Sequence, residues 1–353
     1  MFSILDRYIG KTILSMIGLT LFLLISLSGI IRFIDQLRKV KEHYTALSAG
    51  YYSLLMAPKD LEVFFPIAVL LGTLIGLGLL ASKSELIIME TSGFSRIKIV
   101  KSVMKTAIPL VLIVMAISEW VAPLGEQTAR NMRSEKIYGG SLLATQSSLW
   151  AKDENNYIYI GNIESKDTIS NINIYNVEQG QLKTITHAVH GIYKNSKWQL
   201  YQVEKSDLSN PNKIENINLF SLDWETSINP EKLNIVAQKP DSLSASGLYQ
   251  FAQYLKSSGQ DSSSYELLFW KKILKPLSVA VMMLLAISFI FGPLRSVPMG
   301  IRVLTGIFVG FVFYLMDNVF AQISIIAGLP TFISAIITSL IFLLISYFLF
   351  TRK

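Results

Sequence analysis

Basic side chains gather at three separate places in this sequence, each beside a long apolar run. Arg32, Arg38, Lys39 and Lys41 follow the first run, Arg130 and Arg133 follow the third, and Lys271, Lys272 and Lys275 precede the fourth. Such groups suit a phosphorylated anion, guanidinium through paired hydrogen bonds and ammonium as a point charge on a flexible stem. Taken singly, they also snorkel to lipid headgroups or pair with acids such as Asp35 and Glu266. Three elements supplying cations at one depth point to a shared anion site near the outer face of a membrane.

Catalytic chemistry finds little to work with. The absence of cysteine excludes disulfides, thiolate metal sites and Cys nucleophiles. There is no G-x-x-x-x-G-K-[ST] to cradle a nucleotide, and no H-E-x-x-H or G-x-S-x-G in a credible context. His187 and His190 lie three apart on an expected strand, hence on opposite faces, and read as ordinary histidines of a β domain. No metal or cofactor is expected in this chain. A charge inside a span costs at least ~2.5–3.5 kcal/mol and marks function when it persists. Only Glu119 and Asp317 qualify, both near span ends, so no acid relay supports a proton-coupled transporter.

The stretch Ala81 to Val100, "ASKSELIIMETSGFSRIKIV", is too charged to cross a membrane and too apolar for an ordinary loop. Glu85, Ile88, Met89 and Ser92 follow helical spacing, which predicts a short helix over 84–91 ended by Ser92-Gly93, with Phe94 and Ile97 at the membrane surface. An interfacial helix on the anionic leaflet is one reading. Glu85 and Glu90 disfavour that leaflet, and a helix docking into a cytoplasmic protein explains acids, apolar residues and glycine together.

The elements that must position these residues are membrane spans. Mean hydropathy is +0.43 and 16% of the 353 residues are charged, against roughly a quarter in soluble domains. A net charge of +7 reflects orientation and anionic lipid here more than nucleic acid. Six runs are long enough to cross: Thr12–Ile31, Leu61–Ala81, Ser102–Val121, Ile273–Phe291, Ile301–Ile323 and Thr331–Phe350. The first is too long for a signal-peptide core and reads as a retained anchor. Arg7, Lys11, Lys83, Arg96, Lys98, Lys101, Arg295, Arg352 and Lys353 place both termini inside and the central region outside. Gly72-x-x-x-Gly76, Gly78 and Gly306-x-x-x-Gly310 permit close helix approach, within the chain or to a second one.

That central region is polar and reads as strands: "NYIYIGNI", "ISNINIYNV", "LKTITHAVHGIY", "KWQLYQVEKSDL" and "INLFSLDWETSI". Turn-formers separate them at Glu178-Gln179-Gly180, Lys194-Asn195-Ser196 and Asn210-Pro211-Asn212. The expected organisation is spans one to three over 1–129, an inserted all-β domain over 130–245, a sandwich or open barrel, and an amphipathic helix near Ser246–Leu255 leading into the last spans over 246–353.

The motifs "LDRYIGKTI", "SGIIRFIDQL", "KSELIIMETSGFSR", "VAPLGEQTARNMR", "YGGSLL" with "LWAKD", and "FIFGPLRSVPMGIRV" resemble the lipopolysaccharide-export permease family over essentially the whole length, and its LptG-type branch more than its LptF-type branch. The resemblance implies a membrane α-helical subunit with six transmembrane helices and a periplasmic β-jellyroll. It further implies a Gram-negative inner-membrane ABC exporter, in which the chain pairs with an LptF-type permease and a dimer of cytoplasmic ATPases that bind ATP and Mg. A single-span LptC-type subunit is implied as well. The stretch 84–98 would then be the coupling helix, with Glu85, Met89, Phe94 and Arg96 towards the ATPase. Arg32, Arg38, Lys39, Arg130, Arg133 and Lys272 would meet lipid phosphates, and Phe64 and Phe65 would line the acyl cavity. Arg32 stands where similar proteins can carry Lys. A lipid-modifying envelope enzyme or an assembly scaffold are the alternatives.

Overall fold

The computed structural model describes residues 4–41, 43–138, 149–165, 167–194, 197–210, 213–226, 228–230, 233, 240–294 and 297–351. It divides into two units. One holds the chain up to Asp35, Ser53–Glu126 and everything from Glu266; the other holds Gln36–Tyr52 and Gln127–Tyr265. Arg295, Arg352 and Lys353 of the charge pattern lie outside the described residues, as do 195–196 and 211–212 of two expected turns.

The first unit is helical. Its long elements are α1 (Ile4–Leu37) and α3 (Ala57–Ser82), then α5 (Arg96–Ala116), which continues through a π-helical turn at Ile117–Val121 into α6 (Ala122–Tyr138), a helix that passes into the second unit after Glu126. Helix α2 (Ala46–Leu55), mostly of the second unit, precedes α3, and the short α4 (Glu85–Thr91) follows it. Among the described residues, five helices are long and apolar enough to cross a membrane. The sixth expected span is a bent pair, α8 (Ser263–Ile273) and α9 (Lys275–Phe291), which meet at 52°. Pro276 at the start of α9 lacks the N–H that would continue the ladder, which accounts for the break. Helices α10 (Met299–Ile326) and α11 (Thr331–Thr351) complete the unit.

Helix α3 is the inner element: 72% of its most apolar stretch is buried, against 17% for α1. Its glycines explain how α1 packs against it. A Cβ on Gly72 would sit 2.5 Å from the Ile17 Cα, and one on Gly76 would sit 3.2 Å from the Ile13 Cα. Gly306 and Gly310 of α10 face Leu71, Leu74 and Ile67 of the same α3. These small-residue seams therefore join helices of one chain. Between α1 and α3, the Thr20 hydroxyl donates to the Ala68 carbonyl at 3.1 Å. Ile9, Ile13, Ile17, Leu70, Leu74 and Met282 belong to the core that results.

The second unit carries β1 (Leu149–Asp153), β2 (Asn156–Ser165), β3 (Thr168–Glu178), β4 (Gln181–Lys194), β5 (Lys197–Asp207) and β6 (Glu215–Trp224). They pair antiparallel in sequence order as one six-stranded sheet. The five expected strands are present, and β1 is an addition. At the expected turn after β3, Gln179 and Gly180 both have positive φ, the conformation a two-residue hairpin loop requires. One face buries Ile158, Ile160, Ile172, Ala188, Leu200 and Val203. Trp198 is enclosed there, and its indole N–H donates to the Ile228 carbonyl at 2.7 Å. The expected amphipathic helix is α7 (Ala245–Ser257), capped by Ser244 Oγ, which accepts from the Gly247 N–H at 3.1 Å.

Candidate functional site

Helices α1 and α3 run antiparallel, so the helical unit has two chemically distinct ends. Tyr8 of α1 meets Glu85 at one end, and Arg32 of α1 meets Asp60 at the other. The 24 residues between Tyr8 and Arg32 rise about 36 Å at 1.5 Å each, enough to cross a hydrocarbon core of about 30 Å.

At the Arg32 end the cations are held by carboxylates of the same unit. Arg32 donates through both Nη atoms to Asp60, at 2.7 and 2.5 Å, a forked geometry only guanidinium supplies. Lys272 of α8 lies 3.3 Å from Glu62 Oε1 and 3.3 Å from Ser118 Oγ. Ser118 belongs to the π-helical turn, where the altered winding turns its hydroxyl towards Lys272. Lys59 faces Glu126 at 3.6 Å, and Lys271 pairs with Asp317 at 2.6 Å.

Arg32 takes Asp60 as a partner, and Glu266 accepts from the Thr331 hydroxyl. One sequence expectation is corrected. The shielded acids are not confined to Glu119 and Asp317, because Asp60, Glu62 and Glu126 are buried. All three sit near one end of the unit, paired with cations, so they form no path across it.

Lys275 also belongs to the helical unit, whereas the other expected phosphate ligands lie in the second unit. Arg38 and Lys39 are exposed just beyond the end of α1. Arg130 and Arg133 are half-buried, and the Arg133 guanidinium stacks 5.3 Å above the Tyr52 ring. The structure thus joins Arg32 and Lys272 through neighbouring acids of α3, and places Arg38, Lys39, Arg130 and Arg133 in a separate unit. Of the aromatic pair, Phe65 is in the helical core and Phe64 is half-buried.

The other end holds α4, where the expected short helix forms. Ser84 at φ 62° begins it, and Gly93 at φ +87° lies just past its end, in a conformation suited to glycine. Leu86 and Met89 turn into the core, leaving Ile87 and the 60% exposed Ile88 outward. The outward apolar residues of α4 are therefore these isoleucines, and Met89 anchors the helix from behind. The Tyr8 hydroxyl donates to Glu85 Oε2 at 2.7 Å. Glu90 accepts from Arg96 at 2.9 Å, and that guanidinium lies 5.5 Å over the Phe291 ring. Phe94 packs half-buried against the core, while Ile97 is exposed.

Among the described residues no cluster of His, Asp and Glu is placed to hold a metal ion. The candidate site is a set of shielded ion pairs at one end and a presented short helix at the other.

Comparison with known proteins gives the family. The sequence model of the "Lipopolysaccharide export system permease LptF/LptG" family matches residues 7–352. The chain is 54% identical to the lipopolysaccharide export system permease protein LptG of Escherichia coli (strain K12), over all of this chain and 99% of that protein. It is 46% identical to the LptG of Haemophilus influenzae, again over all of this chain and 99% of the relative. A match that spans helices, short helix and sheet leaves one conclusion: the chain belongs to the lipopolysaccharide export system permease LptF/LptG family.

Proposed function

We propose that this chain is a permease subunit of an ATP-driven exporter that takes lipopolysaccharide out of the inner membrane and passes it to a periplasmic β-rich bridge. The full-length likeness to lipopolysaccharide export permeases carries the reading. The chain itself is non-catalytic, and ATP with Mg is bound by a partner ATPase dimer. An LptF-type permease and a single-span LptC-type subunit complete the assembly. Both termini face the cytoplasm and the sheet faces the periplasm.

The division of labour follows from energetics. Exposing one acyl chain of about 12 methylenes to water costs roughly 10 kcal/mol at ~0.8 kcal/mol per CH₂. An apolar intramembrane cavity, with Phe64 contributing to its wall, lowers that cost. Lipid phosphates meet basic side chains: Arg32 and Lys272 in the helical unit, and Arg38, Lys39, Arg130 and Arg133 in the second unit. Glu85 and Arg96 with the outward face of α4 engage the ATPase, so hydrolysis moves α4 and the helices continuous with it.

The test is reconstitution. The chain is co-expressed with its partners, and lipopolysaccharide leaving proteoliposomes for a periplasmic acceptor is measured. ATP-dependent transfer that vanishes when this chain is omitted supports the reading. Chemical alteration of the lipid without transfer would instead establish a lipid-modifying enzyme.

A further inference from the structure

Arg32 and Lys272 reach α3 from two different helices and meet acids two residues apart, Asp60 and Glu62. Both acids are well shielded, at 5% and 8% exposure. We propose that Asp60 and Glu62 are exchangeable counter-ions, competing with a lipid phosphate for Arg32 and Lys272. Substrate affinity is then set by a swap of anions and not by capture on free cations. The proposal rests on the reading that lipid phosphate reaches this end of the helical unit.

The physical reason is the state left behind when substrate departs. A shielded cation without an anion is costly, so an acid-free site would hold its phosphate tenaciously. A carboxylate within reach stabilises the empty site and leaves the loaded contacts unchanged, which weakens net binding and permits release. The two pairs differ in how readily they exchange. Arg32 is locked to Asp60 through two short bonds. Lys272 lies at 3.3 Å from Glu62 and from Ser118, on a flexible stem, so its ammonium can move while helical hydrogen bonds stay intact. Glu62 therefore yields first, while Ser118 stays within reach of Lys272 as a second acceptor.

The experiment uses the complete complex in detergent and in liposomes. It measures lipopolysaccharide retained after washing and the rate of ATP-driven release. Glu62→Gln keeps the shape but removes the competing charge; it should retain about tenfold more lipid and release it correspondingly slowly, the scale of a close charge pair. Glu62→Asp keeps the charge and should retain less lipid than Glu62→Gln. Against a Lys272→Gln background, adding Glu62→Gln should raise retention far less, only the weaker field of Glu62 on Lys275 remaining. A gain there as large as in the wild-type background would overturn the proposal, and this comparison holds even where the single Glu62→Gln variant is unstable. Lipid A stripped of its phosphates separates the two levels of inference. Wild type retaining stripped and intact lipid equally would defeat the phosphate reading itself. Discrimination by wild type, with no added retention in Glu62→Gln, would defeat only the counter-ion proposal.

Discussion

The two ends of the helical unit handle charge in opposite ways. At the Asp60 end, acids of α3 and α6 face cations, and the Arg32–Asp60 side chains are only 19% and 8% exposed. At the α4 end, Glu85 is held by the phenol of Tyr8 instead, and Ile87, Ile88 and Ile97 are exposed. The Glu90–Arg96 pair there is the more open one, its arginine 47% exposed. An end that neutralises itself acts by exchanging partners within reach. An end that leaves a carboxylate and apolar side chains presented acts through another chain. Under the proposed function, the first end exchanges ligands and the second couples to the ATPase.

The largest expected effect comes from reversing the presented charge. Glu85→Arg should leave the chain folded, since its loss removes one exposed hydrogen bond. Lipid transfer in proteoliposomes should fall by ~30-fold or more, matching about 2–5 kcal/mol for a close interfacial charge. Wild-type transfer by this variant would remove α4 as the contact and collapse the distinction between the ends.

How much of this contrast was legible in the sequence depends on the range of the interaction. Helical spacing placed α4 correctly, because the 3.6-residue period is local, and Ser84 and Gly93 bound it as turn-prone residues should. The inward turn of Met89 was not legible. Ile88 and Met89 are equally apolar, and only the neighbouring helices decide which one is buried. The acids tell the same story. Lys59-Asp60-Leu61-Glu62 reads as a charged start to a span, yet Arg32 lies 28 positions away from Asp60 and Lys272 lies 210 away from Glu62. Pairing at such separation is set by packing, although three charges opening an apolar run were a usable signal. The π-helical turn left no signature, since Ile117–Val121 reads as an ordinary continuation of the span. In the sheet, alternation and β-rich composition foretold β2 to β6, while the short β1 carries little pattern of its own.

A second prediction tests the element that joins the two ends. Gly72→Val would drive a side chain into the backbone of α1, its Cβ arriving 2.5 Å from the Ile17 Cα. Overpacking of this kind costs about 1–3 kcal/mol, so the unfolding temperature of the purified chain should drop by several degrees. Crosslinking between cysteines introduced at Ile13 and Gly76 should become inefficient as the helices separate. Unchanged stability and crosslinking would mean that α1 does not rest on α3, and the two ends would no longer share a common frame.

The smallest expected effect is also the sharpest test of the contrast, because it turns on sign. Tyr8→Phe deletes only the hydroxyl that donates to Glu85 at 2.7 Å. A phenol does not compete with a cation for the carboxylate; it fixes which way the carboxylate points. Losing that orientation should weaken ATPase association about threefold, the scale of one exposed hydrogen bond of about 0.5–1 kcal/mol. Binding of the purified ATPase to the chain in nanodiscs gives the readout. At the opposite end, removing the in-chain partner Glu62 should tighten the ligand instead. Orientation and competition thus predict opposite signs for deleting an internal partner, and a stronger ATPase complex in Tyr8→Phe would show that both ends work by competition.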